Sequence, residues 1–436
     1  MTEHDTGRKK KRVAIYTLGC KVNQYESAIF AGFFKQHGYE LVDFNKPADI
    51  YIINTCTVTH LADRKSRQAI RRAVKINPEA KVVVAGCYAQ IAPEKIADIP
   101  GVDLIIGTQD HQSILKIIEN DAGNMVENCP GFAENYLPEY NGKTRAFIKI
   151  QEGCESFCSY CIIPYSRGPL RSRKLGYILS ELKNIIDQGY REIVLTGIHA
   201  GEYGRDLPGD INLTRLVEGI LKIPGLTRLR LSSLEPQDVS AGLIDIMAGS
   251  RILCPHLHLP LQNGDDEILR RMRRKYSTHD YAAIVESFYA KVHDAAVTTD
   301  VMVGFPGEKE KHFENTCRFV EQMGFSGLHV FKYSPRSGTP AAGFPDQVPA
   351  QIKELRSKRL LGLSRRLYQK YALKYIGREK EVLVEGFFDE KKNMYEGLTD
   401  NYLRVVFTGC GSELKGKLVK VRILEARESH LAGIII

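Results

Sequence analysis

From residue 12 the chain alternates short apolar runs with stretches whose apolar residues recur every three or four positions. The runs "RVAIYTLG", "DIYIINT", "KVVVAG" and "VDLIIGT" are rich in β-branched residues and bounded by polar residues or glycine, the pattern of buried strands. Between them, "QYESAIFAGFFKQHG" and "ADRKSRQAIRRAVKI" carry the helical period, the first with Gly38 placed to close its end. Alternating strands and helices predict a mainly parallel α/β sheet over residues 9–120. The stretch 121–142, with Gly, Pro and Asn and no period, predicts a linker.

A second series fills residues 140–372. Its strand patterns are "TRAFIKI", "REIVLTG", "TRLRLSS", "HLHLPLQ", "TTDVMVGF" and "GLHVFKYS", with helical patterns such as "ILSELKNIIDQG" between them. Six such units predict a curved, partial (β/α)6 barrel rather than the eight-unit form, with a six-unit open sheet left open by periodicity. A long amphipathic segment, "VPAQIKELRSKRLLGLSRRLYQKYALKYIG", closes this region. Residues 373–436 change character: "EVLVEG", "LRVVFTG" and "GKLVKVRILEA" are short strands between turns and predict a small antiparallel β-barrel. The expected fold class is α/β, in three domains.

Composition narrows the function. A chain of 436 residues, 43% hydrophobic and 26% charged, is an ordinary globular balance. The start "MTEHDTGRKKKR" lacks the apolar segment of a signal peptide, and no run reaches the roughly 18 apolar residues of a membrane helix. No membrane partner and a cytoplasmic address are therefore expected. The net charge of +9 favours a polyanionic partner only mildly, and Arg8 to Arg12 reads equally as a phosphate-contacting arm or a solvated tail.

Ten cysteines under reducing conditions point to metal or redox chemistry before disulfides. In "GCESFCSYCIIP", Cys154, Cys158 and Cys161 are spaced by three and then two residues, with no fourth cysteine or histidine following nearby. Structural zinc wants four ligands, and a disulfide would leave one thiol over. Thiolates suit iron–sulfur clusters, and three of them on a cubane leave one iron open. The loop follows the first barrel strand, at the end where barrel active sites are built. Cys20, Cys56 and Cys87 each fall at or just past the carboxyl end of one of the first three strands. Open parallel sheets bind ligands outside those ends, so the three can converge. Core thiols would instead lie inside strands. Cys129, Cys254, Cys317 and Cys410 show no grouping and read as ordinary thiols.

The triplet on the first strand of a partial barrel resembles the radical S-adenosylmethionine superfamily. With "LGCKVNQYES", "INTCTV", "VAGCYAQ", "HLHLPLQNGDDEILRRMRRKYS", "DVMVGFPGE" and "YSPRSGTPAA", nearly the whole chain is similar to the methylthiotransferase family. The last domain resembles the RNA-binding TRAM domain of these enzymes. The resemblance implies that Cys154, Cys158 and Cys161 hold a radical-generating 4Fe-4S cluster whose open iron takes S-adenosylmethionine. It also implies that Cys20, Cys56 and Cys87 hold an auxiliary 4Fe-4S cluster. The implied reaction replaces a C–H bond by C–S–CH3, with one S-adenosylmethionine giving the methyl group and another the radical. "GCKVNQYES" resembles the subgroup acting on N6-threonylcarbamoyladenosine at position 37 of tRNA. The isopentenyladenosine subgroup more often reads "GCQMN" and the ribosomal-protein subgroup "GCPKN". A tRNA substrate and an electron-donor protein are the implied partners. The rivals are those two other substrates and, from another class, a non-catalytic zinc or RNA-binding protein.

Other residues carry less. At "VLTGIHAGEYG" many members of the superfamily have Gly-Gly-Glu, and this chain has Thr196, Gly197 and Ile198. Gly197, Ser232 and Gln262, all at strand exits, are candidate S-adenosylmethionine contacts. Arg167, Arg171 and Arg173 of "RGPLRSR" are expected near the barrel mouth, gripping phosphate or a substrate carboxylate, or else in surface salt bridges. "RRMRRK" (270–275) reads as a solvated basic face, with RNA contact the alternative. His256 and His258 share a strand face and are expected to be interior packing residues rather than metal ligands.

Overall fold

The buried apolar runs do become strands. In a computed structural model that describes residues 10–108, 138–140, 142–409 and 413–436, the chain forms two compact units. One contains residues up to 141 together with Ile162–Pro169; the other contains 142–161 and 170–436. The predicted linker lies largely outside the described residues, as do Cys129, Cys410, Arg8 and the expected domain limit at residue 120.

In the first unit β1 (Arg12–Thr17), β2 (Glu40–Val42), β3 (Ile50–Thr55), β4 (Lys81–Gly86) and β5 (Leu104–Ile106) form a wholly parallel sheet in the order β2-β1-β3-β4-β5. Strand alternation sorts its two cores. Ile50 and Ile52 pack with Phe30, Phe33 and Phe34 of helix α1 (Lys21–Gln36) on one face. Tyr51 and Ile53 pack with Ala69, Ile70 and Ala73 of helix α2 (His60–Ile76) on the other. Both faces are covered, which is why β3 is buried at every residue and reads as a continuous apolar run. Three-residue β2, at the edge, is too short to leave a pattern.

In the second unit β6 (Arg145–Glu152), β7 (Arg171–Ser172), β8 (Glu192–Gly197) and β9 (Arg228–Leu231) form one sheet. β10 (His256–His258), β11 (Ala296–Val303) and β12 (Gly327–Lys332) form another. Single bridges, Leu229 to Leu253 and Ser233 to His258, carry the curve from β9 to β10. The six parallel strands are the expected partial barrel; β7 is a two-residue antiparallel addition beside β6. The run "HLHLPLQ" is strand only to His258, because Pro260 has no N–H for a ladder.

β13 (Glu379–Asp389), β14 (Met394–Thr399), β15 (Arg404–Thr408), β16 (Leu418–Ala426) and β17 (Leu431–Ile435) close into a barrel, antiparallel except where β15 meets β17. It does not stand apart from the half-barrel. Arg230 of β9 donates to the carbonyls of Asp400 (2.9 Å) and Thr399 (3.2 Å), and Tyr402 stacks on His256 at 4.7 Å. The β14–β15 turn thus seats against the half-barrel at β9 and β10. His256 is the packing residue it was expected to be.

Candidate cluster-binding sites

Cys20, Cys56 and Cys87 leave β1, β3 and β4 on the same edge of the first sheet and come close enough to interact electrostatically: Cys87 feels both others. Two glycines allow this. Gly19, at φ +107°, precedes Cys20, and a Cβ there would lie 3.0 Å from that of Cys56; Gly86, at φ +93°, precedes Cys87, and a Cβ would run into Asn54 Oδ1 at 2.4 Å and Thr55. Cys20 is also the N-cap of α1.

A buried polar network holds these loops. Asn23 donates to the carbonyls of Leu18 and Thr55, both at 2.9 Å, while its Oδ1 accepts from Cys20 Sγ at 3.4 Å. Asn54 donates back to the Asn23 carbonyl at 3.0 Å. Arg167 completes the network. Wholly buried, it donates Nε–H to Cys87 Sγ at 3.2 Å and Nη2–H to Asn23 Oδ1 at 2.7 Å, and it pairs with Glu26. Burial pushes Cys87 up to about 12 and also raises Cys56, with Arg167 opposing it at both. A bound cation would deprotonate such thiols outright.

The other triplet occupies one loop after β6. Cys161 N–H donates to the Cys158 carbonyl at 3.0 Å, and Ser159 is tied on both sides, to the Met272 carbonyl (3.1 Å) and by Ala341 N–H (2.8 Å). "RRMRRKYS" and "GTPAA" therefore brace the cysteine loop. Arg274, expected on a solvated face, is buried instead. It donates to Cys158 Sγ at 3.4 Å and to Tyr276 OH at 3.1 Å, and pairs with Glu235. His199 sits on Cys154, with Nδ1 3.8 Å from Sγ and Nε2 2.7 Å from Asp238. Burial works to lower His199, but the Asp238 and Cys154 bonds outweigh it and raise it to about 10. Burial likewise works to raise Cys154, and the His199 hydrogen bond reverses it, so this thiol is lowered.

The donor sets fit iron–sulfur clusters. A single tetrahedral zinc holds its sulfurs about 3.8 Å apart, given Zn–S near 2.3 Å. Among the described residues only His258, Asp300 and His329 bring three ligand atoms within 4.8 Å of one another. Neither cysteine triplet is drawn in so tightly. Of the candidate cofactor contacts, Ser232 lies at the exit of β9 with its buried hydroxyl unpartnered, as a residue awaiting a ligand would be. Gln262 holds φ +62°, a strained position for a residue that is not glycine. Gly197 is where β8 passes Gln151: a Cβ would lie 2.9 Å from its Oε1, which accepts from His199 N–H at 2.7 Å.

The arginine expectation is corrected. Arg167 folds into the first unit, against Cys87. Arg173 is buried between Glu181 (2.7 Å) and the Lys149 carbonyl (3.0 Å), so neither is a surface salt bridge and neither is free to grip phosphate. Glu26, Asn23, Arg274 and His199 were not anticipated. For the first two a signal existed, since Cys20, Asn23 and Glu26 form a polar stripe on an otherwise apolar helix face. Cys254 and Cys317 are buried, with burial pushing them to about 12 and about 11, as expected of inert thiols.

A parallel half-barrel with a three-cysteine loop at its first strand defines a radical S-adenosylmethionine protein. Residues 148–320 match the model of the radical SAM superfamily, 12–107 that of an uncharacterized protein family, UPF0004, and 373–436 that of the TRAM domain. The fold is similar to that of the radical S-adenosylmethionine methyltransferase TsrM from Kitasatospora setae, with a TM-score of 0.56, 13% identity and 77% of each chain covered. The sequence is 44% identical to threonylcarbamoyladenosine tRNA methylthiotransferase MtaB of Bacillus subtilis (strain 168), over 97% of this chain and 95% of that protein. It is 36% identical to tRNA-2-methylthio-N(6)-dimethylallyladenosine synthase of Carboxydothermus hydrogenoformans, over 98% and 100%. The chain belongs to the radical S-adenosylmethionine methylthiotransferase family. It is an enzyme of that class, with S-adenosylmethionine and a 4Fe-4S cluster as cofactors. No helix among the described residues is long and apolar enough to cross a membrane.

Proposed function

We propose that this enzyme methylthiolates carbon 2 of N6-threonylcarbamoyladenosine at position 37 of tRNA in the cytoplasm. Cys154, Cys158 and Cys161 hold the radical-generating 4Fe-4S cluster, and Cys20, Cys56 and Cys87 hold an auxiliary one. Ser232 and Gln262, with the β8 exit at Gly197, lie along the S-adenosylmethionine site. A separate protein donates electrons, and the TRAM barrel contacts the tRNA. The observation that carries the substrate is the 44% identity, along nearly the full length, to a relative named for threonylcarbamoyladenosine.

When bound, the cofactors supply a radical strong enough to break a C–H bond that no side-chain base could ionise. The chain's own part is placement. Arg167 and Arg274 each put a guanidinium on one cysteine sulfur, which favours a negatively charged cluster there. Gln151 donates to the carbonyls of Glu152 and Gly153, both at 2.7 Å, and so fixes where the cysteine loop leaves β6.

Full-length relatives named for dimethylallyladenosine support a second reading, with that nucleoside as substrate. A nucleoside profile of tRNA from a deletion strain separates the two. Loss of the methylthio group from the threonylcarbamoyl nucleoside alone is expected; loss from the dimethylallyl nucleoside instead would overturn the assignment. Anaerobic reconstitution should give about eight irons per chain, the content of two 4Fe-4S clusters. Zinc without labile sulfide at either triplet would sink the cluster assignment.

A further inference from the structure

The one close group of metal-type ligands among the described residues lies on the barrel strands. Asp300 of β11 receives His258 Nε2 of β10 and His329 Nδ1 of β12, each at 3.2 Å. His258 is fixed from its other side by Thr298 Oγ1, 2.9 Å from Nδ1. Burial works to raise Asp300, but the two histidines outweigh it and hold the carboxyl well below its usual range. It is therefore a fixed anion.

The strand pattern shows which way this group faces. Along β11, Val297, Thr299, Val301 and Val303 are buried, and Thr299 bonds to Tyr281 of the covering helix Thr278–Lys291. Thr298, Asp300 and Met302 alternate onto the opposite, inner face, which stays partly open. On β12 the same face carries His329, with its side chain 63% exposed, and Phe331, 46% exposed with its ring 6.5 Å from the His329 ring. One repeat along β11 from Asp300, Met302 packs into the apolar cluster that includes Tyr160, the residue between Cys158 and Cys161. The open inner face therefore runs up to the cysteine loop.

We propose that His258, Asp300 and His329 form the subsite for the polar substituent of the substrate base, with the carboxylate of the threonyl group on His329 Nε2 and the base against Phe331. Asp300 occupies His329 Nδ1, which leaves Nε2 as the ring's other hydrogen-bonding atom. Held between Asp300 and a substrate carboxylate, the ring carries both protons and donates one to each, because an anion on either side favours that form. The exposed Phe331 ring offers a base the stacking surface that extruded bases use. A dimethylallyl substituent has no group that could accept from such a donor. This inference rests on the threonylcarbamoyl reading above.

The test uses anticodon stem-loops with the reconstituted full-length enzyme. One carries N6-threonylcarbamoyladenosine and the other its methyl ester, which removes only the carboxylate charge. The ester should raise the wild-type KM by about 10- to 100-fold, the worth of a hydrogen bond to a charged group, with a much smaller change in kcat. His329→Ala should show the same rise on the acid and no further rise on the ester. His329→Arg, which presents a guanidinium donor at an exposed position and so does not threaten the fold, should recover most of the loss. Equal KM values for acid and ester in the wild type would overturn the subsite. So would a bound metal ion, beyond the cluster iron, that His329→Ala releases. If the wild type ignores the acid stem-loop but turns over the dimethylallyl one, the functional reading above has failed instead.

Discussion

The two cysteine triplets solve one problem in opposite ways. Cys154, Cys158 and Cys161 are neighbours in sequence, and their loop is braced from outside by Met272 and Ala341. Cys20, Cys56 and Cys87 come from three strand ends, and their meeting depends on Gly19, Gly86 and the Asn23–Asn54 network. Yet both ended with the same fitting: a buried arginine on one sulfur, backed by a glutamate, Arg167 with Glu26 and Arg274 with Glu235. The dispersed triplet ties its geometry to the fold of its whole unit. The local site can be tuned by single contacts, such as His199 on Cys154.

The largest effects should come from the cysteines themselves. Cys158→Ala should abolish both 5′-deoxyadenosine formation and sulfur insertion. Cys20→Ala should keep 5′-deoxyadenosine formation and lose only the methylthio product, read by mass spectrometry of the tRNA nucleosides. Equal loss of 5′-deoxyadenosine in both variants would break the division between the sites.

The arginines sharpen the comparison next. Arg167→Ala takes the guanidinium away from buried Glu26, a change that costs about 3–5 kcal/mol. Iron should fall toward half, and the thermal midpoint of the cluster-free protein should drop with it. Replacing the pair together, Arg167→Met with Glu26→Leu, should restore the midpoint because two apolar side chains leave no orphaned charge. It should not restore the iron. Full iron in the double variant would show that Arg167 serves only the fold.

That pair also marks the limit of what the sequence discloses. The local triplet was legible from its spacing alone, and the dispersed one from where its members fell at strand exits. The six parallel strands and the small barrel were legible because strands buried on both faces, or alternating on one, write their period into the chain. Arg167 was not, because its partner Glu26 lies 141 positions away; nor was Arg274, which is 116 positions from Cys158. A run such as "RRMRRK" looks solvated because charge normally is. Arg270, Arg273 and Lys275 are indeed exposed, and Glu235, Tyr276 and the cysteine sulfur together make burial of the Arg274 side chain tolerable. His329 went unnoticed for a related reason: one exposed histidine means nothing until β10 and β11 bring His258 and Asp300 beside it.

The smallest effect, and the one that isolates the local site, is on His199. Against burial, the bonds to Asp238 (2.7 Å) and Cys154 (3.8 Å) raise His199 to about 10, so Nδ1–H is a donor shared between the cysteine sulfur and Ser156 Oγ at 3.4 Å. A donor to a cluster sulfur stabilises the reduced, more negative state and raises the reduction potential. A net hydrogen bond of about 1 kcal/mol corresponds to roughly 40 mV for one electron. His199→Ala should therefore lower the potential of one cluster by about that amount in an EPR-monitored titration and leave the other unmoved. Because Asp238 would then lose its partner, Asp238→Asn serves as the control: it weakens the hold on the imidazolium while keeping the ring, and should shift the same cluster by less. If both clusters move together in either variant, His199 acts on the protein as a whole, and the contrast between a locally tuned site and one fixed by its fold is lost.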